Sequence, residues 1–246
     1  MSDNINDGKL KAGYILPNLF TAASAFLGII SIIAASKGYF DRAAIYIIIS
    51  LICDGLDGRV ARLTNTTSKF GVEFDSLADV IAFGVAPAML FYFSFGNDFG
   101  RTGSLFAALY VVFGAIRLAR FNVMSPTSEP SVFIGIPIPT AAVFVTMWTL
   151  IFHKYDFFNG YSFVLLIIMG ISSILMVSNI RYPSFKKIDT EKPYKLKLLI
   201  FVTIVLSLVY LRPVETLTIL VTLYVLYGIL RVIYNYIAKL KKKKYN

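Results

Sequence analysis

Four aspartates form two pairs, and the spacing within each pair places both members on one face of a helix. Asp54 and Asp57 are three residues apart, and Asp75 and Asp79 are four apart. Residues at these separations are neighbours on a helix surface. Only a short connection separates the two pairs, so we expect their helices to be antiparallel neighbours whose acidic faces meet.

Converging carboxylates repel one another, and inside a membrane they also carry a large desolvation cost. Bound cations relieve both effects, and ligands that are all oxygen favour the hard ions Mg²⁺ or Mn²⁺. Two such ions could hold a diphosphate and stabilise the attacking and leaving oxygens of a displacement. Two alternatives stay open at this point: helix-end ion pairs with Arg59 and Arg62, or a cation-transport pathway.

The elements that must position these aspartates are predicted to be membrane-spanning helices. The 246 residues are 57% hydrophobic and only 15% charged, with a mean hydropathy of +0.71. A helix needs about 20 apolar residues to cross the hydrocarbon. We therefore expect an all-α, polytopic transmembrane bundle that forms one catalytic domain over residues 1–246. The predicted spans are approximately 15–36, 43–64, 72–95, 101–121, 133–153, 161–179, 196–211 and 214–236.

The distribution of basic residues predicts the orientation of the bundle. If the N-terminus is cytoplasmic, most of the 24 lysines and arginines fall on the cytoplasmic side, as the positive-inside rule requires. Both termini and the acidic cluster are then cytoplasmic. The net charge of +10 does not indicate a nucleic-acid partner, because there is no basic domain apart from the spans. The basic residues in outer loops are Lys37, Arg42, Arg101, Lys154 and Arg212.

The spacing D-x-x-D-G-x-x-A-R-x8-G-x3-D-x3-D, filled from Asp54 to Asp79, resembles the signature of the CDP-alcohol phosphotransferases. The resemblance implies a six-helix membrane core, here about 15–180, with two additional C-terminal spans at about 196–236. It also implies two divalent ions, Mg²⁺ or Mn²⁺, and CMP as the leaving group. By this resemblance the metal ligands are Asp54, Asp57, Asp75 and Asp79, and Asp79 is also the general base.

The same resemblance implies which residues contact the CDP-lipid. Gly58, Ala61 and Arg62 belong to the signature, and Ser68 lies in the connecting loop. The stretch Pro-Asn-Leu-Phe-Thr at 17–21 is similar to an element of the family's first helix. Contacts to the nucleotide are therefore expected from Asn18, Thr21, Gly58, Ala61, Arg62 and Ser68.

Four further stretches resemble the branch of that family whose acceptor is serine: 83–88, 116–122, 135–139 and 178–186. The implied reaction transfers a phosphatidyl group from CDP-diacylglycerol to the hydroxyl of L-serine. Arg117 and Arg120 are predicted to bind the serine carboxylate, although they could instead be positive-inside anchors. A sister activity with glycerol phosphate, inositol phosphate or another alcohol remains the alternative. The sequence does not specify the oligomeric state, and a homodimer is one state that it allows.

Overall fold

The computed structural model describes residues 3–124, 132–158, 160–183 and 192–244, which are almost entirely helical. Eight helical segments follow one another, and the third consists of two α-helices joined by a π-helical stretch. The elements are α1 (Asp3–Ser36), α2 (Phe40–Leu63), α3 (Lys69–Asp79), α4 (Ala86–Ser94), α5 (Arg101–Met124), β1 (Val132–Ile134), α6 (Ile138–Lys154), α7 (Phe163–Val177), β2 (Arg181–Pro183), α8 (Lys192–Leu211) and α9 (Pro213–Lys244).

The helices match the segments predicted to cross a membrane, and the all-α membrane class is confirmed. Among the described residues, four stretches are long and apolar enough, by length and composition, to span a bilayer. Three shorter helices, α6, α7 and the apolar part of α8, are also apolar. Helix α2 is long, but it carries Asp54, Asp57 and Arg59 in its second half. The count of eight crossings stays a prediction. The four long stretches are Ile15–Ser36, Lys69–Ser94, Arg101–Met124 and Pro213–Val232.

Helices α1 and α2 form a tight antiparallel hairpin held by small polar side chains. The Ser24 and Ser50 hydroxyls lie 2.7 Å apart, and the Ser31 hydroxyl donates to the Ala43 carbonyl at 2.8 Å. Small residues let helix backbones approach closely in a membrane, where such hydrogen bonds have no competition from water. This packing places residues 17–21 of α1, the stretch that is similar to the family's first helix, beside the acidic half of α2.

A π-helical segment, Val80–Val85, follows α3 directly and leads into α4. It begins immediately after Asp79, and α4 has Pro87 in its first turn. Such segments are rare and often occur at functional sites. Gly28 of α1 packs against this segment, since a Cβ at Gly28 would lie 2.8 Å from the Ala82 Cα. The third span is therefore held against α1 at the depth of its irregular turn.

Strands β1 and β2 form a short antiparallel ribbon that the sequence did not predict. Phe133 pairs with Tyr182, at the centre of three paired positions. Gly135 follows β1 with φ +74°, and its N–H donates to the Ile180 carbonyl at 2.8 Å. The ribbon links the connection after α5 to the connection after α7. It lies at the same end of the bundle as the last turn of α5.

Candidate active site

The carboxylates of Asp54, Asp57 and Asp75 converge where α2 meets α3. One oxygen from each lies within 4.8 Å of the others. Asp54 and Asp57 share a face of α2, and Asp75 projects from the second turn of α3. The predicted meeting of the two acidic faces is therefore present in the structure.

Asp79 lies one turn further along α3 and, like Asp57, is buried. Its side chain adjoins the carboxyl group of Asp54, and Arg117 of α5 lies near enough to interact with it electrostatically. The Asp79 Oδ1 atom is buried and has no hydrogen-bond partner among the described residues. An acceptor atom in that state is suited to a ligand or a proton, because burial without a partner is costly.

Helix α1 contributes a hydroxyl that fixes the orientation of Asp57. Thr21 Oγ1 donates to Asp57 Oδ2 at 2.6 Å, and both side chains are buried. The Thr21 hydroxyl also lies 3.2 Å from the carbonyl of Pro17, one turn earlier. Thr21 was predicted to contact the nucleotide, and the structure shows that it also supports an acidic side chain.

A cavity of about 200 Å³ opens beside the three converging carboxylates. Its wall includes Asp57 and Asp75, so a ligand there would touch the acidic cluster. Thr66 and Thr67 also line it, and the sequence reasoning missed them although they stand in a run of hydroxyl residues. All six residues expected to contact the CDP-lipid line this cavity: Asn18, Thr21, Gly58, Ala61, Arg62 and Ser68.

Two glycines keep the cavity open. A Cβ at Gly58 would lie 3.7 Å from Arg62 Nη1, so the arginine folds back along its own helix. A Cβ at Gly71 would lie 3.2 Å from Ser68 Oγ and 3.4 Å from Asn18 Oδ1. Ser68 caps α3 by accepting from the Gly71 N–H at 3.0 Å. Backbone and polar groups from α1, α2 and α3 therefore meet closely at one wall.

The two arginines of α5 have different surroundings. Arg117 is buried, its guanidinium lies 5.4 Å from the centre of the Phe121 ring, and its Nε has no hydrogen-bond partner among the described residues. Arg120 makes four hydrogen bonds to oxygens of the chain itself. Its Nη1 donates to Val177 O and Asn179 Oδ1, and its Nη2 donates to Ile134 O and Ser178 O.

Helix α5 is tied to the acidic helix by one further contact that sequence reasoning did not single out. Asn122 Nδ2 donates to Ser76 Oγ at 2.9 Å. Asn122 ends the stretch 116–122, and Ser76 stands next to Asp75.

Of the four stretches that resemble the serine branch, the last one, 178–186, is described only in part. Its residues 184–186 lie outside the described part of the chain.

The donor set fits hard divalent cations. Three carboxylates converge, a fourth adjoins them, and every candidate ligand atom is oxygen. The alternative of helix-end ion pairs is not observed, because the salt bridges among the described residues join Glu215 to Lys154 and Arg212 instead. Without such pairs, cations offer the most complete compensation for the clustered charge.

A family model for CDP-alcohol phosphatidyltransferase matches residues 14–177, about two thirds of the chain. The chain belongs to this family, which sets aside the cation-transport interpretation.

Curated relatives extend the likeness beyond the matched domain. The chain is 57% identical over 224 residues to a CDP-diacylglycerol–serine O-phosphatidyltransferase of Helicobacter pylori, covering 89% of this chain and 91% of the relative. It is 39% identical over 181 residues to the archaetidylserine synthase of Methanothermobacter thermautotrophicus, covering 73% and 74%. It is 32% identical over 178 residues to the serine O-phosphatidyltransferase of Bacillus subtilis, covering 72% and 94%.

Proposed function

We propose that this chain transfers the phosphatidyl group of CDP-diacylglycerol to the hydroxyl of L-serine, which gives phosphatidylserine and CMP. The observation that carries the proposal is the cavity beside the acidic cluster. Six residues expected to contact a CDP-lipid, from two helices and a loop, line it together with Asp57 and Asp75. The names of the relatives support serine as the acceptor.

The diphosphate of the donor binds between the carboxylates and Arg62. The Arg62 guanidinium offers paired N–H donors that match phosphate oxygens. Asn18, Ser68 and the open face at Gly58 and Ala61 accommodate the cytidine and its phosphates. Asp54, Asp57, Asp75 and Asp79 would hold two ions, Mg²⁺ or Mn²⁺. Such ions would neutralise the diphosphate and stabilise the leaving oxygen.

Transfer begins with the serine hydroxyl, a poor nucleophile until its proton is removed. Asp79 accepts that proton, because its Oδ1 is buried beside the cluster without another partner. The serine oxygen forms a bond to the lipid-bearing phosphorus. The bond from this phosphorus to the bridging oxygen breaks, and CMP departs with that oxygen.

The carboxylate of serine requires a cation that is not already committed. Arg117 meets this condition, since it is buried next to Asp79 and its Nε is without a partner among the described residues. Arg120 was expected to share the role, but four of its N–H donors are directed to oxygens of the chain. We therefore assign the carboxylate to Arg117 and give Arg120 the role of holding the ends of α5 and α7 together.

The site faces the cytoplasm in this proposal, as do both termini. The distribution of lysines and arginines supports that orientation. Cytosolic serine would then reach Arg117 directly, while the lipid tails of the donor remain in the bilayer beside α1 and α2.

An acceptor panel tests the proposed reaction. Purified protein is incubated with CDP-diacylglycerol and Mg²⁺ or Mn²⁺, together with serine, glycerol phosphate, inositol phosphate or ethanolamine, and released CMP is measured. We expect CMP release with serine at least about tenfold faster than with the other alcohols, since each of them lacks the carboxylate that pairs with Arg117. Faster release with a phosphorylated alcohol than with serine would show that the acceptor has been misassigned.

A further inference from the structure

Helix α9 lies outside residues 14–177, which match the family model, yet it reaches the acceptor side of the site. Val221 and Val225 of α9 are buried in the same core cluster as Leu118, the neighbour of Arg117. Tyr224 stands between these valines in sequence, and its phenol lies within electrostatic reach of the Arg117 guanidinium. Helix α9 therefore packs on the same core as the part of α5 that carries Arg117, the residue to which the serine carboxylate is assigned.

Helix α9 packs closely against the ribbon at Gly228, which has no side chain. Tyr182 of β2 is fully buried, and its ring centre lies 5.3 Å from that of Tyr224. A Cβ at Gly228 would overlap the Tyr182 ring, so only glycine leaves room for this contact. One turn further along α9, Arg231 Nη1 donates to the Arg181 carbonyl at 3.3 Å.

The ribbon carries this contact back to α5. Tyr182 pairs with Phe133 of β1, and the next residue of β1, Ile134, accepts a hydrogen bond from Arg120 at 3.1 Å. The C-terminal half of α5 therefore has two neighbours at this end of the bundle. The ribbon accepts a hydrogen bond from Arg120, and Tyr224 of α9 lies within electrostatic reach of Arg117.

We propose that α9 is a positioning element for the acceptor, in which Tyr224 orients Arg117 toward the serine carboxylate and the Tyr182–Gly228 contact holds the helix in register. This inference rests on the proposed function, because it assumes that Arg117 binds the acceptor. It extends the acceptor side of the site to a helix beyond the six-helix core. Tyr224 acts through Arg117 and does not touch the reacting atoms.

The test uses Tyr224→Phe, which keeps the ring and removes only the hydroxyl. We expect the KM for serine to rise roughly fivefold, the scale of losing one polar interaction with a charged group, while the KM for CDP-diacylglycerol stays within about twofold. Tyr227→Phe is the matched control, because Tyr227 is on the same helix and half exposed. It should leave both KM values unchanged. Gly228→Ala should reproduce the effect on serine by displacing α9 from Tyr182.

Wild-type transfer to serine is measured first, which separates the two proposals. If the wild-type protein does not use serine, the proposed function fails and this inference fails with it. If serine is used but Tyr224→Phe has a wild-type KM for serine, this inference alone is overturned. An equal rise in the KM of both substrates would also overturn it, because a general structural defect would not discriminate between donor and acceptor.

Discussion

Asp79 differs from the other three aspartates in position and surroundings. Asp54, Asp57 and Asp75 have oxygens within 4.8 Å of one another, whereas Asp79 lies one turn deeper, between Asp54 and Arg117. Its buried Oδ1 lacks a hydrogen-bond partner among the described residues. This arrangement suits a group that receives a proton at the edge of the carboxylate cluster. Whether Asp79 is also a metal ligand stays a prediction.

Asparagine substitutions should separate the roles of these carboxylates. Asp79→Asn removes the base while preserving shape, so we expect kcat to fall by roughly 10²-fold or more with little change in the KM for CDP-diacylglycerol. Asp54→Asn should instead raise the Mn²⁺ concentration needed for half-maximal activity. Titration of each variant with Mn²⁺ provides the measurement. Recovery of Asp79→Asn at high Mn²⁺ to the same extent as Asp54→Asn would contradict the role of Asp79 as base.

Thr21 offers a test of the support that α1 gives to the cluster. Thr21→Val keeps the shape but removes the 2.6 Å hydrogen bond to Asp57. We expect Mn²⁺ to bind about tenfold more weakly, since groups that orient metal ligands typically contribute 10–100-fold to affinity. Ser31→Ala is the control, because its bond to the Ala43 carbonyl also joins α1 to α2 but lies about three helical turns from Asp54. Equal metal dependence in the two variants would show that Thr21 does not orient Asp57.

The residues that line the cavity beside the aspartates were predictable as neighbours, and the surroundings of the arginines were not. The fixed spacing around Asp54 and Asp79 identified Gly58, Ala61 and Arg62, because one helix carries all three. The acceptors of Arg120 are carbonyls at the end of α7 and in β1, far away in sequence. Nothing in a pattern of residue types specifies where such backbone oxygens will lie.

At the scale of elements, α1 must pack closely against the third span to hold the site together. Gly28→Ala adds a methyl group where the Ala82 Cα lies 2.8 Å from the new Cβ, so one of the helices must shift. Overpacking of this kind costs about 1–3 kcal/mol. We expect a lower Tm in detergent and a reduced kcat, because Thr21 would move away from Asp57.

Gly55→Ala is the matched control for the thermal measurement. A Cβ at Gly55 meets nothing within 4 Å, and alanine favours a helix over glycine by about 0.5–1 kcal/mol. Its Tm should therefore equal or slightly exceed that of the wild type. If Gly28→Ala were as stable as Gly55→Ala, the close approach of α1 to the π-helical segment would not be a feature of the folded protein.

The helices of this chain are predictable because membrane spans need long apolar runs, which are visible without any knowledge of contacts. The third span was expected at 72–95 and is found at Lys69–Ser94. Its π-helical turn was not predicted, since the change from ordinary helix depends on packing against α1. The β1–β2 ribbon was also missed, because three paired residues on each side carry no period that a sequence pattern can reveal.

At the scale of the whole molecule, the orientation in the membrane is predicted from the basic residues and can be measured directly. Single cysteines are placed at Lys69 and Asp98, two exposed positions near opposite ends of the third span, in a Cys53→Ala background. We expect an impermeant thiol reagent to label the first only from the cytoplasmic side and the second only from the other side. Reversed labelling would overturn the placement of the site.

The end of the six-helix core is a second prediction about the whole molecule. The six-helix core was expected to end near residue 180, and α8 and α9 follow it. Helix α8 packs mainly against α9, while α9 reaches the core through Val221 and Val225. A single catalytic domain over residues 1–246 stays a prediction, and the packing of α9 against Tyr182 agrees with it.

The central claim is that the serine hydroxyl attacks the lipid-bearing phosphorus at the acidic cluster. The most direct measurement uses serine whose hydroxyl carries a heavy oxygen isotope, with mass spectrometry of both products. The account predicts that phosphatidylserine retains the heavy oxygen and that CMP contains none, because the broken bond is the one between phosphorus and the bridging oxygen. Phosphatidylserine without the label, or label in CMP, would contradict it.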